Sequence, residues 1–484
     1  MPITQIETLS LNGGLVKAIP GNQIGIAESP DCQNTDPSDI LGVTLRAGSA
    51  QYASTGPTTA SGSKGQGLFP WTRNAGTTFI LTANATTIYS VDSGGSWLVL
   101  RNGMATDSIM QAAAVNNQSI IVASGLYPQY STAGTAIASI ASGTFILTLA
   151  KYVEPYVQKA FIFGDPVNPN KVAHSKSGDL TDFTTANNAG NFTIGESDGD
   201  ILRGAAGTKR CMYFFKRNNT YVLTGDSPFN FEASKLRSIG LTSEYGIAKT
   251  GEGAFFTSDD GIYYAQGLDC ALISEPIKPL YDAITDKSGL ALEVKGKKLW
   301  CFYPSSGSGA NDSAFVLDYA RKMPTGGVQG IWTVYTGQPY SIAKLAQDNT
   351  LYAITNASSL QLYKLDTGTA ATVTAYWTTP DMDYGDFFSQ KSIARYYVVC
   401  KSPNATKTIT FQWFNQAGSV GPAFTATVGT TGSYQMVSGP PVSTTSITGK
   451  TLKLKMSFSG PNNLTIYGFR IYADIRVEAD MPRR

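Results

Sequence analysis

The chain has 484 residues, 37 of them basic and 35 acidic, so its net charge is only +2. That balance gives no global electrostatic reason to hold nucleic acid or an anionic membrane. Charged residues reach only 15%, against about 25% in average globular domains, while 42% hydrophobic and 11% aromatic residues exclude a disordered chain.

The missing charge is replaced by Ser, Thr, Asn and 49 Gly, residues that build turns and sheet faces but poor helices. A length beyond about 250–300 residues predicts more than one core. The five cysteines, Cys32, Cys211, Cys270, Cys301 and Cys400, are odd in number and lack any CxxC or CxC pair. This spacing argues against a disulfide framework and a zinc site, and for folding in a reducing compartment. The opening MPITQIETLS lacks the basic and apolar regions of a signal peptide. The weakly polar stretch 135–150 is too short and too interrupted to span a bilayer. A soluble protein made in a cytoplasm, with no membrane-spanning segment, is expected.

Residues 1–50 are rich in Gly, Pro, Asn and Asp, with scattered apolar residues such as Leu15, Ile24 and Val43. They predict an extended N-terminal arm that docks on another surface, one role being to supply a strand that closes a ring.

From residue 51 to 368, short apolar runs recur, each followed by a turn and a second strand. Their anchors are Phe79, Ile120, Phe161, Tyr213, Phe255, Trp300 and Leu345, spaced 41, 41, 52, 42, 45 and 45 residues apart. Such a period with several short strands per unit predicts a β-propeller of about seven blades, six or eight being compatible. A sandwich or barrel also gives evenly spaced strands.

Within the first repeat, Ser90-Val-Asp92-Ser-Gly94-Gly-Ser96-Trp97 fits the Asp-box pattern S-x-D-x-G-x-[ST]-W of outer blade hairpins. Asp92 is expected to cap the turn's N–H groups, Gly94 to take positive φ and Trp97 to pack beneath. Looser echoes occur at Ser258-Asp-Asp260-Gly261 and Ser177-Gly178-Asp179. The basic run Lys295, Lys297 and Lys298 reads as a solvated hairpin end. Gly-rich segments at Gly307, Gly309 and Asn311, and at Gly326, Gly327 and Gly330, are candidate channel or partner loops, or ordinary blade turns.

The catalytic inventory is thin. His174 is the only histidine, so any triad or histidine metal site would hang on it, and a structural role is the simpler reading. The carboxylates Glu196, Asp198, Asp200, Asp259 and Asp260 sit in turn contexts, although glycosidases use such pairs. No catalytic residue, cofactor site or metal site is predicted.

From residue 369 to 484 the strands lengthen and alternate, as in TLKLKMSF and FRIYADIRV. That pattern predicts a C-terminal β-sandwich or jelly roll. The final DMPRR reads as a frayed tail.

Several motifs resemble one family. They are Glu28-Ser-Pro30-Asp31-x-x-Asn34 with Gly42, Arg46 and Gly48, then Tyr221-Val-Leu223-Thr-Gly225-Asp226-x-Pro228-x-Asn230-Phe231 and Gly240. Next come Gly253 to Tyr264, Ser274-Glu275-Pro276-Ile277, and Trp377-Thr-Thr-Pro380-Asp-x-Asp383-x-Gly385. Together they are similar to the β-propeller tail nozzle (tail hub) proteins of short-tailed double-stranded DNA phages. The resemblance implies a structural virion protein, assembled in the host cytoplasm, that forms a homohexameric ring below the portal–adaptor complex. Such a ring retains the packaged genome and conducts it at ejection without sequence-specific binding. Its implied partners are further copies of itself, the adaptor ring, and tail fibre or tail needle proteins. Two other classes fit a propeller: a glycan-binding or sialidase-like glycan-hydrolysing protein, and a receptor-binding tail-tip protein.

Overall fold

The computed structural model describes residues 3–37, 42–53, 56–57, 65–73, 76–105, 108–115, 119–140, 143–184, 188–305, 310–320, 330–355, 360–367, 373–402, 406–430, 433–439, 447–459 and 464–476. The fold is nearly all-β and of propeller type. A 3-10 turn, Glu275–Ile277, runs into one helical turn, Lys278–Asp282. Among the described residues no helix is long and apolar enough to cross a membrane.

Successive four-stranded antiparallel meanders follow one another along the chain. They run from Gly65–Thr72 to Trp97–Asn102, from Gln111–Val115 to Ala138–Ser139, and from Tyr152–Tyr156 to Gly190–Thr193. Leu202–Gly207 to Glu232–Arg237, Ile247–Lys249 to Asp269–Leu272, and Ala291–Lys295 to Ile331–Thr336 continue the series. Tyr340–Leu345, Leu351–Thr355 and Leu362–Thr367 supply three strands of a further sheet. The first strand of each meander lies against the first strand of the next. Tyr340–Leu345 returns to Gly65–Thr72 and closes the circle.

Sequence explains why the middle strands read as unbroken apolar runs. Met212–Lys216 and Gly253–Thr257 are buried at every position, because each sheet is covered on both faces by its neighbours. Peripheral strands face water on one side, and Glu232–Arg237 is largely exposed and charged. Six of the predicted anchors fall in the second strand of their meander, whereas Leu345 falls in the first. Both Tyr340–Leu345 and Leu351–Thr355 are apolar, so spacing alone could not place that last anchor.

The fourth strand of the closing sheet comes from the other end of the chain. Gly48–Ala53 pairs antiparallel with Leu362–Thr367, Ser49 opposite Leu365 and Ala53 opposite Leu362. Other described strands of the N-terminal segment pair with the chain's own sheets. Ile3–Thr8 pairs with Thr465–Arg476, and Thr35–Pro37 and Val43–Leu45 extend the same sheet. Cys32–Gln33 slots between Ile331–Thr336 and Thr374–Thr378, parallel to one and antiparallel to the other.

That two-residue bridge turns a four-stranded meander into one nine-stranded sheet. The sheet runs on through Thr374–Thr378, Leu452–Ser459, Lys407–Asn415 and Phe424–Val428. A second sheet holds Gln435–Ser438, Gln390–Lys401 and Thr465–Arg476 with the N-terminal strands. Strict alternation along Leu452–Ser459 directs Leu452, Leu454, Met456 and Phe458 into a core with Trp377, Tyr396, Trp413 and Phe469. The same core continues without a break to Phe255, Tyr281 and Trp332 of the ring.

Candidate functional site

Inner strands from around the ring line one axial cavity of about 320 Å³, among them the segments bearing Phe69, Met110, Val153 and Ile342. Both of its lysines are paired with carboxylates. Lys249 donates to Glu154 Oε1 at 2.7 Å, and the same oxygen accepts the Gly207 N–H at 2.8 Å. Lys344 and Glu293 stand 3.0 Å apart. Tyr152 donates its hydroxyl to Glu244 Oε1 at 2.6 Å, and burial, then the Glu244 charge, raises that phenol well above its ordinary pKa.

Tyr245 stands at the middle of the ring. Its side chain packs on three separate inter-sheet clusters, and its carbonyl accepts from Leu292 N–H at 3.0 Å. The turn carrying it is held by Ser243, whose hydroxyl donates to Leu290 O at 2.5 Å. A space of this volume suits a small molecule and not a nucleic-acid duplex.

The Asp-box turn joins the third and outer strands of its sheet, Thr87–Val91 and Trp97–Asn102. Asp92 Oδ1 accepts from Gly94 N–H and Ser96 N–H, each at 2.9 Å. Gly95, not Gly94, takes positive φ, at 81°, because the carboxylate holds the first glycine in an ordinary conformation. Ser90 is buried, and Trp97 meets Tyr89 edge-on at 6.0 Å. Tyr52 of the closing strand donates to Asp92 O at 3.1 Å, so the turn pins the ring closure. The Ser258–Gly261 echo occupies a different turn, between the second and third strands of its sheet. There Tyr263 donates to Asp260 at 2.8 Å. Near Ser177, Asp179 and Asp182 each cap the residue two positions on.

The remaining chemistry-bearing residues serve the fold. His174 is 2% exposed, ringed by Phe161, Phe192 and Phe231 at 5.5–6.4 Å. Burial lowers its pKa to about 4. Asp198 binds the fully buried Lys216 at 2.8 Å and accepts from Tyr221 at 2.7 Å. Desolvation opposes its ionised form, but these hydrogen bonds outweigh it and hold the carboxyl below its usual range. Asp200 accepts from Arg217 N–H and Asn218 N–H, and Asp259 pairs with Arg217 at 2.8 Å. The basic hairpin is less solvated than its composition suggests, since Lys298 bonds Asp36 at 2.8 Å and Lys295 sits 3.1 Å from Asp366.

Two candidate loop residues prove internal. Asn311 is 4% exposed and donates to Gly289 O and Tyr340 O, tying neighbouring sheets. Gly330 holds φ 137°, and a Cβ there would lie 2.3 Å from Leu317. It is a packing glycine. Gly307, Gly309, Gly326 and Gly327 lie outside the described residues.

Segments remote in sequence meet at the seam between the ring and the C-terminal sheets. Ser29 donates to Thr378 O at 2.7 Å, and Tyr376 to Asp31 at 3.1 Å. Asn34 donates to Thr374 O, while the buried Arg46 donates to Asn34 Oδ1 at 2.8 Å and Thr336 O at 3.0 Å. Pro276 O accepts from Lys17 N–H at 2.7 Å, and Trp332 donates its indole N–H to Ile273 O at 3.1 Å. Asp381 accepts from Lys453. Sequence reasoning missed Tyr245, Glu244 and the seam's hydrogen bonds, because nothing local distinguishes a Tyr or Asn that will face a distant strand.

No known protein family matches the sequence, and no curated protein matches it. Among solved structures, virginiamycin B lyase from Staphylococcus aureus is similar over 64% of this chain and 97% of its own, at 11% identity and a TM-score of 0.43. The Pan2 WD40 domain of Neurospora crassa aligns over 69% and 98%, at 8% identity and a TM-score of 0.44. The extracellular domain of BT4673 from B. thetaiotaomicron aligns over 92% and 62%, at 9% identity and a TM-score of 0.45.

Proposed function

We propose that this chain is a structural virion protein, the tail nozzle subunit of a short-tailed phage. It is read as a seven-bladed propeller closed by Gly48–Ala53 and bearing a β-sandwich, working as a homohexameric ring below the portal–adaptor complex. The carrying observation is where the family-like motifs fall. Glu28 to Asn34 with Arg46, Ser274 to Ile277, and Trp377 to Asp381 are far apart in sequence, yet they border the seam between the ring and the C-terminal sheets. The Tyr221 to Phe231 motif instead lies within a ring sheet. Residues that weld two units into one rigid body suit a load-bearing part.

The axial cavity supports the same reading. Its lysines are committed to Glu154 and Glu293, and Tyr245, packed on three clusters, lines it. A duplex therefore passes along the axis shared by several copies, not through one propeller. The near-neutral charge suits a conduit, since a strongly basic wall would hold phosphates by counterion release. Catalysis plays no part in this role.

Native mass spectrometry and negative-stain imaging test it. Rings with an axial hole that join a portal–adaptor complex are expected. Protein that stays monomeric and fails to join that complex, or that turns over a sialoside, sinks the reading.

A further inference from the structure

Two exposed apolar features of the C-terminal unit stand out among the described residues. The first is a rigid tip ahead of the strand Gln390–Lys401. Phe388 is 79% and Phe387 48% exposed, in edge-on contact at 6.1 Å. The turn beneath is tightly built. Tyr384 and Gly385 take positive φ, Asp383 accepts from Gly385 N–H at 3.0 Å, and Asp386 accepts from Phe388 N–H at 2.9 Å. The fully buried Lys391 ties the base by donating to Asp386 O and Ser389 O. Such a tip loses little freedom on binding.

The second feature is the edge strand Gln435–Ser438, which pairs with Gln390–Lys401. Met436 is 67% exposed and Tyr434, just before the strand, 59%. Tyr434 rests on Tyr467 at 4.9 Å with the Lys401 ammonium 5.8 Å above its ring. Met436 lies opposite Val399, nine residues along the strand from Gln390, where the tip ends. At about 3.3 Å per residue that stretch of strand sets the two features roughly 30 Å apart, so neither covers the other within one chain.

We propose that these features are the two halves of a head-to-tail contact, the Phe387/Phe388 tip of one copy seating on the Tyr434–Met436 edge of the next. Charge selects this pairing. Tip on tip would bring the Asp383 and Asp386 carboxylates of two copies together, whereas tip on edge sets them toward Lys401. A contact between two different patches is heterologous, and it builds a ring where its rotation closes and an open filament where it does not. The inference rests on the ring-forming reading above and names its surface.

Single variants Phe388→Cys and Met436→Cys, made in the full chain, test it with a short bis-maleimide. All five native cysteines are buried, which keeps the background low. The mixture should give at least fivefold more covalent dimer than either variant alone. Dimer from Phe388→Cys alone indicates a two-fold contact and overturns the proposal. The double variant F387S/F388S, with melting temperature unchanged, should fall to monomer by light scattering. Rings that survive it overturn this contact while leaving the nozzle reading intact. Rings that survive but no longer join the adaptor assign the tip to a different partner, again against the proposal. A wild-type chain monomeric throughout removes the nozzle reading and this contact together.

Discussion

His174 illustrates what burial does to a single side chain. Its imidazole is held neutral, with a pKa of about 4 against about 6.5 unfolded; Lys159 is the charged neighbour that adds to the shift. The unfolded chain takes up the proton first, so this residue costs stability as pH falls from about 6.5 to about 4. The full loss is about 3 kcal/mol. Melting temperature followed across that range should decline less steeply in His174→Phe, and identical slopes would refute the assignment. Lys216 makes the complementary case. Removing one partner of such a pair strands the other's charge. Asp198→Leu, which leaves the fully buried Lys216 without its carboxylate, should therefore cost about 3 kcal/mol by denaturant titration, and Asp198→Asn, which keeps a hydrogen-bonding side chain, less. Of these roles, the Asp92 turn was legible because its bonds reach only two and four residues ahead. Tyr245 was not, since its value comes from three clusters assembled by distant segments.

At the scale of elements, the closing strand decides whether the ring holds. Gly48–Ala53 and Leu362–Thr367 are joined only by backbone pairing and by contacts such as Lys364 over Tyr52 at 4.6 Å. Gln51 and Tyr363 lie opposite each other, so a Gln51→Cys/Tyr363→Cys disulfide would close a loop of most of the ring. Chain-entropy arguments put such a staple at about 6 kcal/mol. Oxidised protein should melt several degrees above reduced protein, and no difference would mean that this edge does not limit stability. The middle strands of the repeats were readable as apolar runs. Cys32–Gln33 was not readable, because two residues carry no periodicity and become a strand only through the partners on either side.

The whole molecule is predicted to unfold as one body. One core runs from Phe255 and Trp332 in the ring to Trp413 and Phe469 in the C-terminal sheets, and one nine-stranded sheet crosses the same seam. Calorimetry should therefore show a single transition. Trp413→Ala, truncating a fully buried side chain, should cost about 3–5 kcal/mol and lower that transition as a unit. Two separated transitions would show that the seam is weaker than its contacts imply.

By itself the sequence determined the all-β character, the repeating meanders and the change to longer alternating strands beyond residue 369. Each is written in local periodicity and turn chemistry, which act over a few residues. Only the tertiary structure decided that the N-terminal segment is woven into the C-terminal sheets, that Asn311 and Gly330 are packing residues, and that Tyr245 joins three clusters beside the axial cavity. Those outcomes depend on which distant surfaces meet, and burial and pairing across hundreds of residues leave no local mark.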